Sequence, residues 1–77
     1  MTSPSRFDEY RLAIQQREQD ALFWASQGDE PRARSAVAYL SCMSFAGCTA
    51  HEILKLDTLA REARKRIDAA MQTEARS

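Results

Sequence analysis

The sequence predicts an all-α protein: a three-helix bundle built on an antiparallel helical hairpin, with a long third helix. Three observations carry this. Between Thr49 and Met71 apolar residues recur at alternating steps of three and four, the stripe of an amphipathic helix. The segment Gln27-Gly28-Asp29-Glu30-Pro31 reads as a stop followed at once by a restart. Gly and Pro number only two each, β-branched residues are few, and Ala, Arg, Glu, Gln and Leu are frequent. The expected helices cover about residues 5–27, 30–46 and 50–73 of a single 77-residue domain.

The first helix has two acceptable caps, Ser3 ahead of Pro4 or Ser5 with Asp8 three residues on. Phe7, Tyr10, Ile14, Ala21 and Trp24 share one stripe. Arg17 interrupts it, as a snorkelling stem or as the partner of a carboxylate. Ala21-Leu22-Phe23-Trp24-Ala25 is too apolar for one face, so it is either the bottom of the core or a docking patch for another protein. Gly28 suits the left-handed position after a helix, Asp29 the cap of the next, and Pro31 its first turn. A link this short closes an antiparallel hairpin.

In the second helix Ala33, Val37, Leu40 and Ser44 form one row, and Ala36, Tyr39, Met43 and Ala46 another. Its many Ala and Ser residues make it slim, which permits close approach. Gly47 is expected to end it, with Cys48 in the turn. Alternatively Gly47 only weakens one long bent rod, because a single Gly costs about 1 kcal/mol. The third helix opens on Thr49-Ala50-His51-Glu52, a capping box. Ile53, Leu56, Ala60, Ala63, Ile67 and Ala70 form its stripe, widened by Leu59 and Met71. Beyond Met71 the chain is expected to fray.

The composition is 44% hydrophobic and 29% charged, with net charge zero, a globular balance that offers no excess of positive charge to nucleic acid. The charge is nevertheless divided. Residues 1–30 carry three Arg against six Asp/Glu, 3 − 6 = −3, and residues 31–77 carry eight Lys/Arg against five Asp/Glu, 8 − 5 = +3. An acidic first helix can therefore lie beside a basic third one. No signal-peptide core and no membrane-length apolar run occurs, so a cytoplasmic place is expected, with Cys42 and Cys48 reduced.

Little here points to catalysis. Cys42, Cys48 and His51 give a C-x5-C-x2-H spacing that Glu52 or Asp57 would have to complete as a metal site, but no second Cys/His pair exists. Cys48 and His51 as a nucleophile pair lack an orienting group. There is no glycine-rich phosphate loop and no carboxylate pair in an apolar setting. The chain is not expected to be an enzyme or to hold a metal or cofactor. Arg61, Arg64, Lys65 and Arg66 form its basic cluster. Asp57 lies four before Arg61, Glu62 four before Arg66 and Arg64 four before Asp68, the spacing of a salt-bridged, solvated face.

Residues 26–33, Ser-Gln-Gly-Asp-Glu-Pro-Arg-Ala, resemble the turn of a tetratricopeptide repeat. Trp24 stands as the large aromatic before the turn, and Ala21 and Ala33 as the small residues that let the helices approach. One repeat's worth is present, so the resemblance implies a tight hairpin without a solenoid groove. In outline the chain is also similar to the small co-chaperones of type III secretion needle subunits. The similarity lies in Arg11 to Gln27, the Gly28-Asp29 turn and the apolar helix from Val37 to Ala46, and it implies a helical-repeat partner. A third resemblance is to the helix-turn-helix of DNA-binding proteins, with Gly47 as the turn glycine and Ile53 and Leu56 as apolar positions of the second helix. Thr49, His51, Glu52 and Lys55 would then face the nucleic acid.

The expected function is protein–protein interaction, by a small adaptor or co-chaperone that buries an apolar helical face at roughly 25 cal/mol per Å². Phe23, Trp24, Tyr39, Met43 and Phe45 are the expected contacts, with another protein or a second copy as partner. A small helix-turn-helix regulator and a self-associating bundle are the alternatives.

Overall fold

The computed structural model describes the backbone from residue 5 to residue 76 and side chains as far as Gln72. Three helices, α1 (Arg6–Ser26), α2 (Glu30–Ser41) and α3 (Ala50–Arg76), pack against one another in all three pairings. The chain runs up, down and up, so α1 and α3 are parallel and α2 is antiparallel to both.

The helix starts follow the chemistry of the sequence. Ser5 caps α1, its hydroxyl accepting from the Asp8 N–H at 3.2 Å. Asp29 caps α2, accepting from the Arg32 N–H. Thr49 and Glu52 form a reciprocal box: the Glu52 N–H donates to Thr49 Oγ1 at 3.2 Å, and the Thr49 N–H to Glu52 Oε1 at 2.9 Å. Ser3 and Pro4, the other cap considered for the first helix, lie outside the described residues.

Between α1 and α2 the reversal is a Schellman turn. The Asp29 N–H donates to the Trp24 carbonyl at 2.8 Å, and the Gly28 N–H to the Ala25 carbonyl at 3.1 Å. Gly28 sits at φ +77°, where a side chain would be strained. Pairing about this turn brings Ala25 to the level of Ala33 and Ala21 to that of Ala36. All four are buried, so the two backbones approach as closely as alanines allow. Leu56, Ala60, Ala63 and Ile67 of α3 close the core, together with Ile14 and Leu40.

Two expectations need correction. The second helix ends at Ser41, not at residue 46, and residues 42–49 form a loop that separates it from α3. The reason lies in what a longer helix would bury. Continued to residue 46, it would turn Phe45 toward solvent and bring Ser44 into line with Leu40. As a loop, the same residues fold over the start of α1. The Tyr10 hydroxyl donates to the Ala46 carbonyl at 2.9 Å, and the Phe45 and Tyr10 rings meet edge to face at 5.4 Å. Gly47 does take a left-handed conformation, φ +87°, but inside this loop, where a Cβ would stand 3.4 Å from the Arg6 side chain. The bent-rod alternative is excluded with it.

The second correction concerns Ile53. It heads the expected stripe of α3 yet remains 40% exposed, and Leu54 beside it is 67% exposed. The short α2 does not reach this level of the long third helix. At the other end α3 runs on to Arg76, past the point expected to fray.

Among the described residues the divided charge is used once, and specifically. Arg66 of α3 donates two bonds to Glu18 of α1, from Nε at 2.6 Å and from Nη2 at 2.8 Å. Glu62, the expected partner four residues before Arg66, contributes only through-space charge. The Arg66 hydrogen bond outweighs partial burial and holds the Glu18 carboxyl below its ordinary value of 4.5. A depressed folded-state value means that the stabilisation is complete above the unfolded value and is lost as pH falls through the folded one. Acid titration should therefore weaken the wild type below about pH 4.5 more steeply than Glu18→Gln. At neutral pH the variant should be less stable by about 1 kcal/mol, since Arg66 is half exposed. Parallel denaturant titrations at neutral and acid pH measure both effects.

Candidate functional site

The five residues expected to make contacts fall in three places. Tyr39 lines two depressions beside α1, one shared with Trp24 and the other with Met43, which stands in the loop after α2. Phe23 points away from the bundle, 55% exposed, with its ring edge-on to Trp24 at 5.1 Å. Phe45 turns inward onto Tyr10 and is half buried, so its contact is largely spent within the chain.

The groove is built by helical spacing on both walls. Arg17, Asp20 and Trp24 supply the α1 wall. Arg32, Ser35 and Tyr39 supply the α2 wall, with Ala36 between them. Small side chains at Ser35 and Ala36 leave the space open. Toward the start of α1 a second depression, which shares Tyr39 with the first, lies between Glu9, Tyr10 and Ala13 on one side and Tyr39, Cys42 and Met43 on the other.

Two stacked guanidiniums organise it. Arg17 lies over the Tyr39 ring, 4.1 Å from its centroid, and Arg32 over the Trp24 ring at 4.4 Å. Each stack is worth about 0.5–1 kcal/mol at an exposed site, and it also fixes a long side chain in one place. A guanidinium with its face on a ring keeps its N–H donors around its edge. Arg32 spends one on Asp29, at 3.3 Å. Arg17 makes no ion pair among the described residues. The polar break in the α1 stripe is thus a stacked cation and not the partner of a carboxylate. Arg32 carried no signal of its own, because only the hairpin sets it over Trp24.

Elsewhere the polar side chains are engaged locally. Glu30 pairs with Arg34 at the edge of a second groove, between α2 and α3, that Val37, Ala38, Asp68 and Met71 also line. The basic cluster on α3 is dispersed. Arg61 pairs with Asp57 at 3.2 Å as its spacing predicts. Arg64 turns to α2, donating to Ser41 Oγ at 3.0 Å, where the spacing pointed to Asp68. Arg66 turns to α1.

Both cysteines are free thiols, Cys42 exposed and Cys48 half buried. Burial, and then the nearby Glu52 carboxylate, push the Cys48 thiol up, which disfavours the thiolate that a nucleophile or metal ligand requires. Among the described residues no three His, Cys, Asp or Glu side chains converge as a metal site would need. Nor is any helix, among the same residues, long and apolar enough to cross a membrane.

No family model, curated protein or solved structure matches this chain.

Proposed function

We propose that the chain is a small protein–protein interaction module of the adaptor or co-chaperone kind, and that the α1/α2 groove receives its partner. One observation supports this above the others. Two depressions beside α1 share Tyr39: Trp24 lines one, with Arg17 and Arg32 fixed over the two rings, and Met43 lines the other. Aromatic, Met and Arg side chains are the types enriched in protein interfaces and at their energetic centres. Held arginines give direction as well, because their N–H edges select a carboxylate on the incoming segment. The partner chemistry that fits is an apolar segment bearing an acidic group. The similarity in outline to the needle-subunit co-chaperones makes a secretion-system component the partner class to try first. Free thiols suit a reducing compartment, and the cytosol is the proposed place.

Affinity capture from the source cells tests the reading, with wild type, Tyr39→Asp, Arg17→Glu and the control Arg61→Glu compared at matched helicity. Tyr39 and Arg17 are exposed, so both variants should fold. A partner retained by wild type and by Arg61→Glu should be lost from the two groove variants, by tenfold or more in yield. Equal retention on all four baits would refute the groove as the binding surface.

A further inference from the structure

Beyond the groove, α1 has a third face, turned away from both neighbouring helices. Leu12, Gln16, Gln19 and Phe23 lie along it, at steps of four, three and four. The flanking positions belong to the grooves: Arg11, Gln15 and Glu18 face α3, while Ala13, Arg17 and Asp20 face α2. All four stripe residues are exposed, Leu12 at 52% and Phe23 at 55%. None is charged, although charged residues stand on both sides at positions 8, 9, 11, 17, 18 and 20. An outward helical face normally carries the charges of an amphipathic helix. An uncharged row at alternating steps of three and four is instead the seam of a two-helix contact.

We propose that this stripe pairs with the same stripe of a second copy of the chain, antiparallel, about a twofold axis between Arg17 and Glu18. The row reads the same from either end: apolar, Gln, Gln, apolar. With the axis there, Leu12 meets Phe23 of the second copy and Gln16 meets its Gln19, so that two apolar contacts enclose two amide pairs. An isologous interface requires this self-complementarity, which a foreign partner would not impose on the sequence. The flanking charges agree with the antiparallel direction. Each flank meets the same flank of the second copy, so Glu9 falls opposite Gln27, Asp8 opposite Ser26 and Asp20 near Ala13, and no like charges face each other. A parallel pairing in register would set Glu9 against Asp8 of the second copy on both flanks, like charge against like. With a net charge of zero, two copies carry no overall repulsion. Four seam positions bury less than the ~800 Å² per partner of a standard interface, so the association is weak and concentration-dependent.

The face is distinct from the α1/α2 groove, and the two assignments stand or fall separately. Sedimentation equilibrium on the full chain, from low micromolar to near-millimolar concentration, tests this one. Wild type should move from one chain toward two across the range. Leu12→Lys and Phe23→Glu, both at half-exposed positions, should each remain monomeric with unchanged helicity. An equimolar mixture of the two variants should recover association, because antiparallel register sets Lys against Glu at one end and keeps the Phe23–Leu12 contact at the other. A wild type that stays monomeric throughout would overturn the proposal. So would single variants that associate like wild type, or a mixture that fails to recover.

Discussion

Replacing Leu56 with Ala is expected to lower stability by about 3 kcal/mol, enough to leave the domain only marginally folded. Leu56 is fully buried and, with Ile67, is the largest side chain wholly removed from solvent. Six of the ten buried core residues are alanine: Ala21, Ala25, Ala33, Ala36, Ala60 and Ala63. Small side chains on three rigid helices cannot swing into the space that a leucine leaves, so the loss combines lost burial with a persistent cavity. A core this small rarely supplies more than ~3–5 kcal/mol in total. Circular dichroism in a urea titration should show the midpoint falling toward zero denaturant. A shift of less than about 1 kcal/mol would mean that α3 does not seat against the hairpin through this residue.

Ala33→Leu is expected to destabilise for the opposite reason, by about 1–3 kcal/mol. Ala33 lies fully buried in the first turns of α2, at the level of Ala25 across the hairpin. Three added carbons there force α2 away from α1. Helix propensity works slightly the other way, since both residues are good helix formers, so packing decides the outcome. The same separation would widen the groove between Trp24 and Tyr39, and the Arg32 stack should loosen with it. Near-ultraviolet dichroism of Trp24 reads that local change, and thermal unfolding reads the global one. An unchanged or raised melting temperature would contradict the close approach of the two backbones.

These effects follow from features visible in the sequence. Thr49 with Glu52, Ser5 with Asp8, and Gly28 with Asp29 each set a boundary through bonds between residues a few positions apart, and local chemistry of that kind is legible in order along the chain. The small residues Ala21 and Ala33 likewise announced the hairpin. The end of α2 was not legible, because Ala, Tyr, Leu and Met up to residue 46 are all compatible with helix. Only the tertiary contact of Phe45 and Ala46 with Tyr10, more than thirty residues away, makes the loop preferable. Ile53 misled for a related reason: the periodicity shows which way a side chain points, not whether another helix extends far enough to cover it.

Trp24, Tyr39 and Met43 stand out in the sequence by residue type, as large apolar side chains beside slim helical positions. Their arrangement was not readable. Arg17 was visible only as a break in a stripe, and Arg32 meets Trp24 because a three-residue link folds the chain back on itself. Phe45 was chosen for its size, which the chain uses internally instead. The stripe from Leu12 to Phe23 is not an apolar run, because two glutamines occupy its middle. Its pattern emerges once the other two faces of α1 are assigned to α2 and α3.

The central claim is that the core is complete within one chain, so that the outer faces remain available to others. Sedimentation velocity with circular dichroism at low micromolar concentration, followed by urea unfolding, tests it most directly. The expected result is a helical species of 8.7 kDa that unfolds in one cooperative transition. A chain that is poorly helical, or that lacks a cooperative transition until a partner or high concentration is supplied, would contradict the claim and make the buried alanine core a product of assembly.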